Sequence, residues 1–268
     1  MNNLNKELAP ISAAAWEQIE AEASRTLKRH LAARRVVDLN GPKGIDCAAI
    51  GTGHTRTIDA QRQGIVANLR EAQPLVELRV PFELSRQAID DVERGAVDSD
   101  WAPVKEAARI IAIAEDTAVF EGYAAAGIAG IRQGNSNQAV TLPGNVKGYA
   151  DAVARAVSQL RQAGVNGPYH LVLGADQYTA AEGGSDDGYP VLQHIRRLVD
   201  GDIIWAPAIS GGFVLSSRGG DFELSIGQDF SIGYLEHTAT TVRLYLQESL
   251  TFRLLTTEAA VALTLANQ

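Results

Sequence analysis

Only one cysteine, Cys47, stands among 268 residues. A lone thiol excludes an internal disulfide and any thiolate-held zinc or iron–sulfur centre, and it fits a reducing compartment. Long apolar runs are missing as well, so nothing reads as a membrane-spanning helix. The first ten residues carry Lys6 and Glu7 and lack the apolar centre of a signal peptide. These absences predict an unanchored cytoplasmic chain. Positive charge is also in deficit: 24 Lys and Arg against 32 Asp and Glu leave a formal charge of -8. That balance argues against nucleic acid or an anionic membrane as partner.

Motifs of chemistry are equally scarce. There is no Gly-x-Ser-x-Gly elbow, no phosphate-binding loop, no dinucleotide fingerprint and no His-Glu-x-x-His pair. Gly51-Thr52-Gly53 is a fragment of a dinucleotide motif and no more. The histidines His30, His54, His170, His194 and His237 are scattered, with none at ligand spacing from another. Acidic pairs occur at Asp90-Asp91, Glu115-Asp116 and Asp186-Asp187, but sequence neighbours do not face one another across a cleft as paired catalytic carboxylates must. They read as solvated faces or helix caps. No catalytic residue, metal or cofactor is expected, and a free hydrolase or protease would need a nucleophile, a base and an oxyanion site that the chain does not display.

What is present is ample apolar material, 46% of residues, arranged with clear periods. Trp16, Ile19, Ala23, Leu27 and Leu31 recur at helical spacing behind Ser12, a candidate cap. This amphipathic helix either packs on its own domain or lines a groove for a partner peptide. A short extended piece at Val36, Val37 and Leu39 ends at Asn40-Gly41-Pro42. From Gly51 to Gln73 the chain is polar and β-tolerant, which suits either a mobile loop or a two-stranded arm that finds its partner elsewhere. Val76, Leu78, Val80, Phe82 and Leu84 alternate as a half-buried strand, with Pro81 hinting at an edge or bulge. Pro103 opens a long spine helix expected to run to Gly127, about 35 Å.

A turn-rich linker, Gly134 to Gly144, precedes an α/β unit. Its expected parts are a helix over Val146–Ala163, a strand at Tyr169–Leu173, a helix from Asp176, a Gly/Ser/Asp loop at Gly183–Gly188, a helix after Pro190, and strands at Ile203–Ala206 and Phe213–Ser216. β character returns at Phe222–Ile226, Val242–Leu255 and Ala260–Leu265. Strands on both sides of an α/β insert suggest a discontinuous domain. Glu248 falls on the apolar side of its strand, where an unpaired charge is costly. An ion pair to another subunit is the expectation there.

Specific residues carry a family resemblance along the whole chain. Asn3-Leu4, Leu8-Ala9-Pro10, Trp16, Arg34-Arg35-Val36-Val37-Asp38 and Gly41-Pro42 resemble the start of an encapsulin shell protein. Asp90-Asp91-Val92-Glu93-Arg94-Gly95 and Glu115-Asp116 with Phe120 and Gly122 resemble its middle. Gly167-Pro168-Tyr169, Gly188-Tyr189-Pro190, Arg218 to Phe222, Gly227-Gln228-Asp229 and Ser231 to Tyr234 continue it.

The resemblance implies the α+β fold of tailed-bacteriophage major capsid proteins (Hong Kong 97-type), with a peripheral domain, an axial domain and an extended arm. By that likeness residues 1–50, 75–135 and 222–268 form the peripheral domain, 51–74 the arm and 136–221 the axial domain. It implies an icosahedral homo-oligomer of about sixty subunits, enclosing a cargo enzyme that enters by a C-terminal targeting peptide. The seat for that peptide would be Leu27, Leu31, Phe230, Ile232 and Tyr234, with polar contacts from Arg34, Asp38 and Asp229. An internal ion pair is the other reading of Arg34 and Asp38. The loop Gly184, Ser185, Asp186, Asp187, Gly188 and Tyr189 would ring a fivefold pore and favour small cations.

Asn2-Asn3-Leu4 and Asp98-Ser99-Asp100-Trp101 most resemble relatives that package a dye-decolorising peroxidase, ahead of those that package a ferritin-like protein. Gln87 stands where some relatives hold a flavin against an aromatic ring, so no flavin is expected. A phage capsid protein shares the implied fold, but those usually carry an extra N-terminal segment, whereas this sequence opens almost at its first helix.

Overall fold

The computed structural model describes residues 3–186 and 188–266. In chain order the first elements are α1 (Ala13–His30), β1 (Asp38–Asn40), β2 (Ala49–Ile58), β3 (Ala67–Pro74), β4 (Val76–Ser85), α2 (Arg86–Glu93) and α3 (Ala102–Phe120). There follow α4 (Ile131–Gly134), β5 (Val140–Leu142), α5 (Tyr149–Gln162), β6 (Tyr169–Leu173), α6 (Ala175–Gly183), the short β7 (Ser185–Asp186) and β8 (Tyr189–Pro190), and α7 (Val191–Arg196). β9 (Ile203–Trp205), β10 (Gly212–Ser216), β11 (Phe222–Ile226), β12 (Ser231–His237), β13 (Thr241–Leu254) and β14 (Ala260–Leu265) complete the described chain.

Two five-stranded sheets organise these elements. In the first, β13 is the long central strand, with β11 and β12 along one side and β4 along the other, and β1 outside β11. β4 pairs with β13 over ten residues, from Ser85 opposite Thr241 to Val76 opposite Leu250. The first and last thirds of the sequence thus meet in one sheet. As an edge strand β4 tolerates Pro81, which has no N–H for a further neighbour. In the second sheet the order is β5-β14-β10-β6-β9.

α1 starts where Ser12 Oγ accepts the Ala15 N–H at 3.2 Å, and it buries Ala15, Ile19, Ala23 and Leu27. That face packs on α3 and on the first sheet through Phe82, Leu84, Ile111, Leu244 and Leu246. A second, larger core surrounds the second sheet and takes in Phe120 at the end of α3, stacked on Phe213 at 5.4 Å between ring centres. Among the described residues no helix is long and apolar enough to cross a membrane.

Several expectations are corrected by the structure. α3 stops at Phe120 and is about 28 Å long at the usual rise per residue. Gly122 ends it, with φ +91°, because the turn must press against Gly130, whose backbone nitrogen would lie 2.8 Å from any Cβ at Gly122. The extended piece begins at Asp38, since Val36 and Val37 still donate to the Ala33 carbonyl in a 3-10 turn. The linker contains β5, and β12 was not anticipated as a strand. β14, grouped by sequence with the peripheral strands of 222–268, instead inserts between β5 and β10 of the second sheet. Its residues Ala260 to Leu263 are buried there on both faces, as a central strand requires.

The stretch 51–74 is a two-stranded arm. β2 and β3 pair with each other only, from Ala49 opposite Pro74 to Ile58 opposite Ala67, with a bulge between Gly51 and Thr55. Nearly all of it is exposed.

Candidate functional site

A groove of about 510 Å³ lies between the C-terminal half of α1 and the start of β12. One wall is α1, through Glu20, Ala23, Ser24, Leu27 and Lys28, continued by Leu31 and Arg34. The other is Asp229, Phe230, Ser231 and Ile232, with Leu246 of β13 beneath and Lys6 at one end. The helical period of α1 explains this: Ala23, Leu27 and Leu31 recur every four residues, so they form one stripe that faces the sheet.

Arg34 fixes the groove floor. Its Nε donates to both carboxylate oxygens of Glu115 at 2.9 Å, and its Nη2 to Glu115 at 2.6 Å and Glu248 at 3.3 Å. Nη1 meets Asp229 at 2.9 Å, and the guanidinium lies 4.4 Å from the Phe230 ring centre. Burial alone would lower the Arg34 pKa, but the Glu115 bonds and the charges of Glu115, Asp229 and Glu248 outweigh it and hold the pKa above its ordinary value. Glu248 is fully buried, and burial with the Glu115 charge beside it raises its pKa well above the usual carboxylate range. Its ion partner belongs to the same chain. This corrects the expectation of an intersubunit pair, and the reason is that the 3-10 turn after α1 delivers Arg34 directly over β13.

Asp116 secures that turn, accepting the N–H groups of Ala32 and Ala33 at 2.9 Å each. Burial pushes its pKa up to about 7, against the pull of those two amides. A folded-state pKa above the ordinary 3.8 means that the folded protein binds this proton more tightly than the unfolded chain. The stabilising contribution is therefore fully present below about pH 4 and lost as pH rises through about 7. Asp116→Asn removes the titration, so its melting temperature, measured against wild type from pH 4 to 8, is expected to fall less as pH rises. Parallel curves for the two proteins would refute this.

Six of the eight residues expected at a peptide seat line the groove together: Leu27, Leu31, Arg34, Asp229, Phe230 and Ile232. Asp38 does not. It starts β1, and its carboxylate accepts the Gly220 N–H at 2.6 Å beside a separate cavity lined by Arg35, His170 and Asp221. Tyr234 lies further along β12, its hydroxyl 2.6 Å from His237 Nδ1. Sequence reasoning missed Lys6 and Glu20, which pair at 2.5 Å, and Leu246. It also took Glu115 and Asp116 for a solvated face. The available signal was spacing, since Glu115 sits four residues after Ile111 and three before Ala118 on the apolar side of α3.

The loop expected at a pore is a small hairpin, with Ser185 opposite Pro190 and Asp186 opposite Tyr189. Gly184 precedes it and Gly188 turns it with φ +83°. Asp187 lies outside the described residues. Asp186 pairs with Lys147 at 3.1 Å, which offsets part of the negative charge. Tyr189 stacks on His194 at 4.5 Å and accepts from Arg197 at 2.7 Å, bracing the hairpin against α7.

Known proteins share both sequence and fold with this chain. A family model, Linocin_M18, described as an encapsulating protein for peroxidase, matches residues 1–251. A type 1 encapsulin shell protein of Rhodococcus erythropolis is 60% identical over 263 residues, covering 98% of this chain and 100% of the relative. A virus-like particle from Pyrococcus furiosus superposes with a TM-score of 0.64 at 15% identity, over 92% of this chain and 98% of that one. The capsid of Myoviridae phage XM1 gives 0.55 at 12% identity, over 88% and 92%. These last two likenesses are of fold alone.

Proposed function

Because the chain belongs to the Linocin_M18 family of encapsulating proteins, the shell subunits of encapsulins, we propose that it captures a peroxidase inside its shell by seating the enzyme's C-terminal peptide in the groove between α1 and β12. It is a shell-forming subunit with the tailed-phage capsid fold, and it is not an enzyme. Capture is its work.

The observation that carries the cargo reading is the groove itself. Its floor is apolar, through Leu27, Leu31, Phe230 and Ile232, and the charges beside that floor are paired within the chain, Lys6 with Glu20 and Arg34 with Asp229, with Lys28 exposed at the rim. Such a surface accepts a short apolar peptide without leaving a buried charge unmatched. Identical sites repeated around a closed shell add avidity to a modest single affinity. The family description names a peroxidase, and the dye-decolorising class is our reading of the cargo. We read the assembly as an icosahedral shell of about sixty copies, residing in the cytoplasm. The second sheet, β14 included, is read as the axial domain, with the β7–β8 hairpin at the fivefold pore.

Charge reversal at Asp229 tests the seat. In cells producing both the chain and a dye-decolorising peroxidase, Asp229→Lys is expected to leave shells intact and to lower the number of cargo copies per shell several-fold by native mass spectrometry. Asp38→Asn, outside the groove, should load as wild type does. Undiminished loading of Asp229→Lys would overturn the assignment.

A further inference from the structure

On the reading that the groove seats a peptide, we infer that the occupant binds as an added strand, an extended and largely apolar stretch of polypeptide hydrogen-bonded to the free edge of β12 at Ile232. β12 runs antiparallel to β13, with Ile232 opposite Leu246, Gly233 opposite Tyr245 and Tyr234 opposite Leu244. In such a ladder, residues whose N–H and C=O point at the partner strand alternate with residues whose groups both point away. The Tyr234 N–H donates outward, to the Leu4 carbonyl at 2.8 Å. Ile232, two residues earlier in a regular stretch, is in the same phase. Its N–H and C=O therefore also face away from β13, and no described residue bonds to them there.

The vacancy has a local cause. The N-terminal segment borders β12 at Leu4, then turns off at Asn5, where φ is +50°, into a 3-10 turn over Lys6–Leu8. Neither Asn3 nor this turn hydrogen-bonds to Ile232. The uncovered length opens into the groove, which Ser231 and Ile232 line while the Ile232 side chain packs in the core. A purely apolar occupant would bury one donor and one acceptor without partners, at a cost comparable to lost hydrogen bonds. One residue of an extended peptide supplies both partners, and its neighbours point alternately toward and away from the apolar stripe of α1. A helix has already used its backbone groups and cannot do this. Lys6 pairs with Glu20 and Arg34 with Asp229, while Lys28 stands exposed at the rim without an ion partner among the described residues, so the part of the stretch that covers the floor is apolar.

The test uses shells that hold a copurifying dye-decolorising peroxidase, with empty shells of the same chain as reference. Cryo-electron microscopy is expected to show extended density along β12 with both hydrogen bonds at Ile232. Amide exchange over residues 230–234 should slow in loaded shells. Ile232→Pro removes the outward N–H and no bond to β13, so occupancy should fall about fivefold relative to Ile232→Val, the worth of one net hydrogen bond. Density in the groove that is helical, or not bonded to Ile232, would overturn the added strand while leaving the groove as the seat. Loaded shells with an empty groove would overturn both. Should the proline variant fail to assemble, the density and exchange results decide.

Discussion

Deleting His54–Asn68 is expected to abolish shells while leaving folded subunits. The excised piece is most of an arm whose strands pair only with each other and touch the rest of the chain at few points, among them Arg253 to the Gly51 carbonyl at 3.3 Å and Gln73 to the Gly127 carbonyl at 3.0 Å. Isolated two-stranded hairpins are marginal in water. This one also exposes Ile58, Ile65, Val66 and Leu69, with Val66 at 81%. Apolar side chains and open strand edges this exposed are what a neighbouring copy is expected to cover in an assembled shell. Neither core cluster contains a residue of the deleted stretch, so each sheet keeps its packing. Size-exclusion chromatography with negative-stain microscopy should give small species with native-like circular dichroism. Normal shells from the shortened chain would rule out the arm as an assembly device.

Arg34→Ala carries the other large effect. The substitution leaves Glu115 and Glu248, both fully buried, without their shared cation. Removing one partner of a buried charge cluster typically costs about 3–5 kcal/mol, because the remaining charge stays desolvated. For a chain of this size that corresponds to a fall of roughly 10 °C in melting temperature. Arg34→Ala combined with Glu115→Gln should recover part of the loss, since the stranded charge goes with its partner. A melting temperature within a degree or two of wild type would show that the cluster is not held by Arg34. The same variant tests the groove floor, as Asp229 and the Phe230 ring both rest on this guanidinium.

How far the sequence alone leads can be judged element by element. Where period and punctuation are local, the reading holds: Ser12 caps α1, Tyr169–Leu173 is a strand end to end, and Val76 to Leu84 alternates as drawn. It fails where a distant contact decides. Helical spacing continues to Tyr123, but the approach of Gly130 ends α3 at Phe120. β12 was invisible because Ser231-Ile232-Gly233-Tyr234 has little pattern of its own and becomes a strand by pairing with β13. Asp38 was placed beside Arg34 by likeness, yet it begins a strand that points to Gly220.

The sequence by itself determined the family, the absence of motifs for chemistry, the polar arm and the apolar stripe of α1, because each is written in neighbouring residues or their order. Only the tertiary structure decided which charges are buried together. Arg34, Glu115, Asp229 and Glu248 are separated by up to 214 positions and meet because the sheet joins the last third of the chain to the first. The free edge at Ile232 is likewise a matter of ladder phase, which no single strand carries.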